Sequence, residues 1–199
     1  MRKLSLILIL FLFLFKISFA NTYSSDPKLF IDELINDVIS KLSDKDLNEE
    51  QKVNFVERIA IENVDINALG LYTLGELRKS TDQEIIKKYQ ESFEKYFLKS
   101  LTSRLSDYSS NRFEVLGAEK KSSNYTIVKS KIIENKKQPE IKINWRVYTK
   151  NPDKPLVRDL IIEGLSLART QKEEFASILS SNNNDINILI LKLNEFANK

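Results

Sequence analysis

Residues 157–175 read VRDLIIEGLSLARTQKEEF, and the change of period inside this stretch decides the fold class. Val157, Leu160, Ile161 and Ile162 are apolar and mostly β-branched, as a strand requires. Gly164 interrupts them. A glycine in a strand pattern marks a bulge or a close backbone approach. After Arg169 the apolar residues return at helical spacing, through Phe175, Ile178 and Leu179. Thr170 followed by Glu173 has capping-box spacing, so a helix is expected to open there. A strand handed to a helix across a glycine is common and leaves function open.

Upstream of this stretch the period is two. In residues 140–150 Ile141, Ile143, Trp145 and Val147 alternate with Lys142, Asn144, Arg146 and Tyr148, which predicts a strand with one apolar face. Residues 125–134 form a further strand with a polar middle at Lys129, Ser130 and Lys131. Phe113, Val115 and Gly117 alternate in another. The turns fall at 122–124, 135–139 and 151–153, and Pro155 opens the last strand. Three short connections predict a four-stranded antiparallel meander with one buried face.

Helices precede the sheet. Asp26-Pro27 is a cap followed by a first-turn proline; Phe30, Ile31, Leu34, Ile35, Val38, Ile39 and Leu42 then share a face. A second helix is expected over 49–63, after a polar loop at 43–48. A third runs over 64–79, with Asp65 as cap and two glycines, Gly70 and Gly75. Each glycine costs about 1 kcal/mol against alanine in a helix interior. The reason is close helix packing, a kink, or a ligand lying against the backbone. Thr81 and Glu84 have capping-box spacing before the longest helix, 82–108. Its stripe is Ile85, Ile86, Tyr89, Phe93, Tyr96, Phe97, Leu101, Leu105 and Tyr108. A loop at 182–185 ends in Asp185, a cap for a terminal helix carrying Ile186, Leu189, Ile190, Leu193 and Phe196. The plan is α+β: N-terminal helices and two C-terminal helices on one face of the meander, enclosing either a filled core or an apolar pocket.

The chain of 199 residues is read as one domain, 21–199, behind a cleaved secretory leader, 1–20. Arg2 and Lys3 precede the apolar run 4–15, and Ser18 and Ala20 occupy the small-residue positions of a cleavage site. That run is short for a membrane span, which needs about 20 residues. The chain has 31 basic and 28 acidic residues. Removing Arg2, Lys3 and Lys16 leaves 28 of each sign. A nucleic-acid partner, which asks for a basic field, is therefore not expected. There is no cysteine and no histidine. Stability must come from core packing without disulfides, and catalytic triads and zinc sites built on His or Cys are excluded. No metal, cofactor or catalytic group is expected. Asp159 and Glu163, if both on a strand, share a face about 13 Å apart, too far for a glycosidase pair. Ion pairing with Arg146, Arg158 or Arg169 is their simplest role.

Three segments then acquire meaning together. Residues 159–175 (DLIIEGLSLARTQKEEF) resemble the signature of the MlaC, or toluene-tolerance, family; 143–150 (INWRVYTK) and 71–84 (LYTLGELRKSTDQE) resemble two more of its segments. The chain departs from the family at Gly75-Glu76-Leu77-Arg78, where members often place an aromatic residue after Leu-Gly. The resemblance implies a non-enzymatic, monomeric periplasmic carrier of diacyl phospholipid. Its implied partners are an outer-membrane lipoprotein complex and an inner-membrane ABC transporter with its substrate-binding MCE protein, in the pathway that maintains outer-membrane lipid asymmetry. The expected lipid-binding walls are Phe93, Phe97 and Leu101 of the long helix, Ile143, Trp145 and Val147 of the third strand, and Leu160 and Ile162 of the fourth. A pocket-filling Val147→Trp change is expected to lower bound lipid. The rivals are a periplasmic adaptor or chaperone with a filled core, and a small enzyme of ketosteroid isomerase-like fold using Asp159.

Overall fold

A computed structural model describes residues 23–103, 112–133 and 139–199. The leader at 1–20, with its cleavage site at Ala20, lies outside the described residues, as do Leu105, Tyr108, Glu134 and most of the 135–139 turn.

Helix α1 (Pro27–Ser43) begins where Asp26 Oδ1 accepts the backbone N–H groups of Lys28 and Leu29 at 3.0 Å each. Helix α2 (Glu49–Asn63) opens on a reciprocal box between Asn48 and Gln51. Helix α3 (Ile66–Thr73) is capped by Asp65, whose Oδ1 accepts the Ala68 N–H at 3.2 Å. It is shorter than expected because Gly75 takes a φ of +59°, a left-handed conformation that ends a right-handed helix and suits glycine. A 3₁₀ turn (Gly75–Lys79) follows. Helix α4 (Gln83–Thr102) is capped by Asp82, not by Thr81. The Thr81 hydroxyl instead donates to the Leu77 carbonyl at 2.7 Å. Among the described residues no helix is long and apolar enough to cross a membrane.

The sheet has five strands where four are expected. Strands β1 (Phe113–Lys120), β2 (Tyr125–Ile132), β3 (Ile141–Tyr148), β4 (Leu156–Ile162) and β5 (Leu165–Ser166) follow one another in that order, every neighbouring pair antiparallel. The added strand comes from the turn at Glu163 and Gly164, with φ of +48° and +86°. Two consecutive positive φ values make a tight hairpin of the kind that matches strand twist. Gly164 is thus a turn glycine and neither a bulge nor a close approach, for a side chain there would meet open space. Extra residues, and with them bulges, occur at Leu116 and at Arg158.

Because the chain turns back so early, helix α5 (Leu167–Ser180) starts before the expected Thr170 box. Ser166 is its cap, accepting the Arg169 N–H at 3.0 Å. Glu173 pairs with Arg169 one turn on, at 2.9 Å. Helix α6 (Ile186–Ala197) is capped by Asp185.

The interior divides in two. In the sheet cluster Phe30, Ile31, Leu34 and Ile35 of α1 and Ile59 of α2 bury Val128, Val147 and Val157. In the helical cluster Tyr89 and Phe93 of α4 pack with Phe175 and Leu179 of α5 and Leu189 and Leu193 of α6. The aromatic stripe of α4 therefore meets other helices, while α1 covers much of the sheet. Val64, at the end of α2, packs against both clusters.

Candidate functional site

Strand β3 provides the clearest apolar wall. Its inner face is read off the ladder: Val147 opposite Thr126, Trp145 opposite Val128 and Ile143 opposite Ser130, with Leu160 and Ile162 of β4 opposite Trp145 and Ile143 on the other side. Side chains directly opposite one another share a face, so these five predicted residues lie together. Burial grades along the row. Val147 is fully buried and Ile143 nearly so, whereas Trp145, Leu160 and Ile162 are half-buried.

Ser130, the polar residue in the middle of β2, turns out to serve this wall. Its hydroxyl accepts the Trp145 indole N–H at 2.8 Å and donates to the Ile143 carbonyl at 3.2 Å. An indole N–H turned away from water needs such a partner. With the N–H satisfied on the sheet itself, the ring offers only carbon to whatever lies over it. The polar middle expected of this strand thus has a use at Ser130 that alternation alone does not show; the register makes it the indole's acceptor.

On the helical side Phe93 is buried and Phe97 and Leu101 are half-buried. The polar tips nearby are likewise tied off. The Tyr89 hydroxyl lies 2.8 Å from Thr73 Oγ1, which donates to the Gly70 carbonyl at 2.7 Å. Burial holds the Tyr89 phenol well above its ordinary pKa, outweighing the opposing effect of Thr73, so it stays neutral. Tyr96 donates to Gln171 at 2.9 Å.

The eight predicted residues therefore fall into groups. Trp145, Val147 and Leu160 belong to the sheet cluster and Phe93 and Phe97 to the helical one. Leu101, Ile143 and Ile162 are counted in neither.

Two charged joints connect the halves, and both leave β4 at consecutive residues. At the bulge, Arg158 pairs with Asp65 at 2.6 Å, donates to the Tyr125 hydroxyl at 2.8 Å and lies 3.4 Å from the centroid of Tyr148. Partial burial lowers the Arg158 pKa, but the hydrogen bonds with Tyr125 and Asp65 outweigh it and hold the pKa above its usual value. The Asp65 N–H donates to the Val157 carbonyl at 2.9 Å beside this pair. Next to it, buried Asp159 accepts the Ser166 hydroxyl at 2.7 Å and the Ala168 N–H at 3.0 Å, with Arg146 at 3.6 Å. Of the expected ion pairs, Asp159 takes Arg146; Arg158 and Arg169 have other partners. Glu163 sits in the hairpin turn and accepts the Lys142 N–H, so it does not share a strand face with Asp159. The acid named for an enzyme reading is occupied in joining β4 to α5. Among the described residues no group of three or more acidic side chains is placed to hold a metal ion.

The fold and this wall define an α+β domain whose sheet and helices present carbon inward. The chain belongs to the MlaC protein family, whose pattern matches residues 32–195. Among solved structures it is similar to a phospholipid-binding protein from Ralstonia solanacearum in complex with a phospholipid. The two are 19% identical, the TM-score is 0.68, and the likeness covers 84% of this chain and 94% of that one. No curated protein matches.

Proposed function

We propose that this chain is a periplasmic phospholipid carrier, exported by its leader, which holds the acyl chains of one diacyl phospholipid between the sheet and the helices. The observation that supports this most directly is the inner wall of β3 and β4. Trp145, Leu160 and Ile162 remain half-buried beside fully buried neighbours, and the one polar atom of the indole is turned into the sheet. Apolar lining with few polar groups is the usual composition of a small-molecule site. Family membership and the shared fold with a phospholipid-bound protein point the same way.

The physics of the task agrees. Each methylene exposed to water costs about 0.8 kcal/mol. Two acyl chains with roughly 30 methylenes would cost more than about 20 kcal/mol to expose, by the same coefficient. A lipid therefore crosses water slowly unless a carrier offers an interior as apolar as the bilayer. With such an interior the exchange is near thermoneutral and needs no chemistry. In this reading the lipid passes between an outer-membrane lipoprotein complex and an inner-membrane ABC transporter with its MCE protein.

The test is transfer of a fluorescent phosphatidylglycerol between donor and acceptor vesicles. The protein is expected to raise the transfer rate in proportion to its concentration. A rate equal to that of vesicles alone would remove the carrier reading and favour an adaptor with a filled core.

A further inference from the structure

One row of the sheet's inner face leads out to solvent. Ser130, Ile143, Ile162 and Leu165 stand opposite one another on the successive strands β2 to β5, so their side chains share that face. Ser130 and Ile143 are buried and Ile162 is half-buried, but Leu165, on the edge strand, is 70% exposed. No other large apolar side chain among the described residues is more exposed. Leu167, just beyond the capping Ser166, is exposed as well.

Cations border this edge. Helix α5 begins at Leu167 and packs on α3. From its second turn Lys172 lies over the ring of exposed Tyr72 on α3, 5.2 Å from the centroid. The Lys172 stem crosses Gly75, where a methyl group would stand 3.2 Å from its Cε. Arg78 reaches the same point and donates to the Gly75 carbonyl at 2.8 Å. Glu76 is paired with Lys79 and Glu173 with Arg169. Neither Lys172 nor Arg78 takes part in an ion pair among the described residues. The hairpin's own acid, Glu163, is turned to the Lys142 N–H.

We propose that the β4–β5 hairpin and the start of α5 dock this protein on an anionic bilayer, with Leu165 and Leu167 entering the headgroup boundary and Lys172 and Arg78 meeting lipid phosphates. Exposed carbon suits that boundary, a tyrosine ring sits well within it, and the stems of Lys and Arg carry their charge up to the phosphates. The two cations without a carboxylate supply the complementary charge. The row behind Leu165 favours a bilayer over a protein partner, because the same inner face is the proposed wall for acyl chains. The inference rests on the carrier reading and gives the carrier a membrane-facing side.

The experiment mixes the exported chain with vesicles of phosphatidylcholine, or of phosphatidylcholine and phosphatidylglycerol in equal parts, and sediments them. Protein in the pellet reports docking. Lipid held by protein in the supernatant, read by mass spectrometry, reports carriage separately. The unaltered protein is expected to pellet with the phosphatidylglycerol vesicles and far less with the others. Leu165→Asp is expected to weaken that binding by more than about tenfold, since the burial of a leucine is lost. Lys172→Gln is expected to weaken it about fivefold, the worth of one lysine beside an anionic surface. Leu116→Asp, at an exposed leucine on β1, is the control and is expected to bind as before. A folded Leu165→Asp or Lys172→Gln protein that binds like the unaltered one overturns the inference. So does an unaltered protein that stays in the supernatant with both vesicles, which would leave the patch to a protein partner. Docking that depends on Leu165, with no lipid on the supernatant protein, supports the surface and counts against the carrier reading.

Discussion

Asp159→Ala is expected to lower the melting temperature by roughly 6–12 °C, without changing the lipid bound per folded chain. The carboxylate is almost completely buried and receives two hydrogen bonds from the start of α5, at 2.7 and 3.0 Å. Removing it leaves the Ser166 hydroxyl and the Ala168 N–H without their acceptor. Each orphaned donor costs about 1–3 kcal/mol, so a loss of about 3 kcal/mol is reasonable. For a chain of this size 1 kcal/mol corresponds to about 2–4 °C. Arg146 adds little, since it is partly exposed and regains water. Asp159→Asn keeps an acceptor oxygen and is expected to lose less. Thermal denaturation followed by circular dichroism checks both. An Asp159→Ala protein that melts like the original would mean that the joint between β4 and α5 is held by something else. One that keeps its stability but no longer binds lipid would place the carboxylate at the ligand.

Leu160→Trp is expected to cut bound phospholipid by about a hundredfold in affinity while leaving a cooperative fold. Leu160 is half-buried and faces inward opposite Trp145. In the proposed carrier a larger side chain there would take the place of part of an acyl chain. Excluding roughly four methylenes at about 0.8 kcal/mol each forfeits about 3 kcal/mol, and each 1.4 kcal/mol is a factor of ten. The position matters. Val147, the first choice from the sequence, has no exposed surface and packs with the α1 core, so tryptophan there would overpack and report on stability instead. Titration with a short-chain phosphatidylglycerol followed by calorimetry reads the effect. Equal affinity in a folded Leu160→Trp protein would mean that β4 does not line the site.

Much of the architecture was legible because the chain changes period cleanly. Alternation fixed the inner face of β3, and Asp26, Asp65 and Asp185 were read correctly as caps. The errors share a physical cause: turn chemistry and caps one to four residues from the competing choice. Glu163-Gly164 makes a hairpin because a non-glycine residue accepts a left-handed φ there, which no pattern announces. That turn creates β5, moves the cap from Thr170 to Ser166 and takes Glu163 off the strand. Nor did the residues alone reveal that α4 would pack among helices while α1 took the sheet. Both helices carry broad apolar stripes, and a stripe does not name its partner. The joints at Arg158 and Asp159 depend on a bulge, which shifts side chains across a strand without marking the sequence.

The carrier account is tested most directly by exporting the full chain in a bacterium with two membranes and purifying it without detergent. Its organic extract is then weighed by quantitative mass spectrometry. The account predicts diacyl phospholipid at close to one molecule per chain. A folded protein whose extract contains no phospholipid, and which takes none up from vesicles, would contradict it.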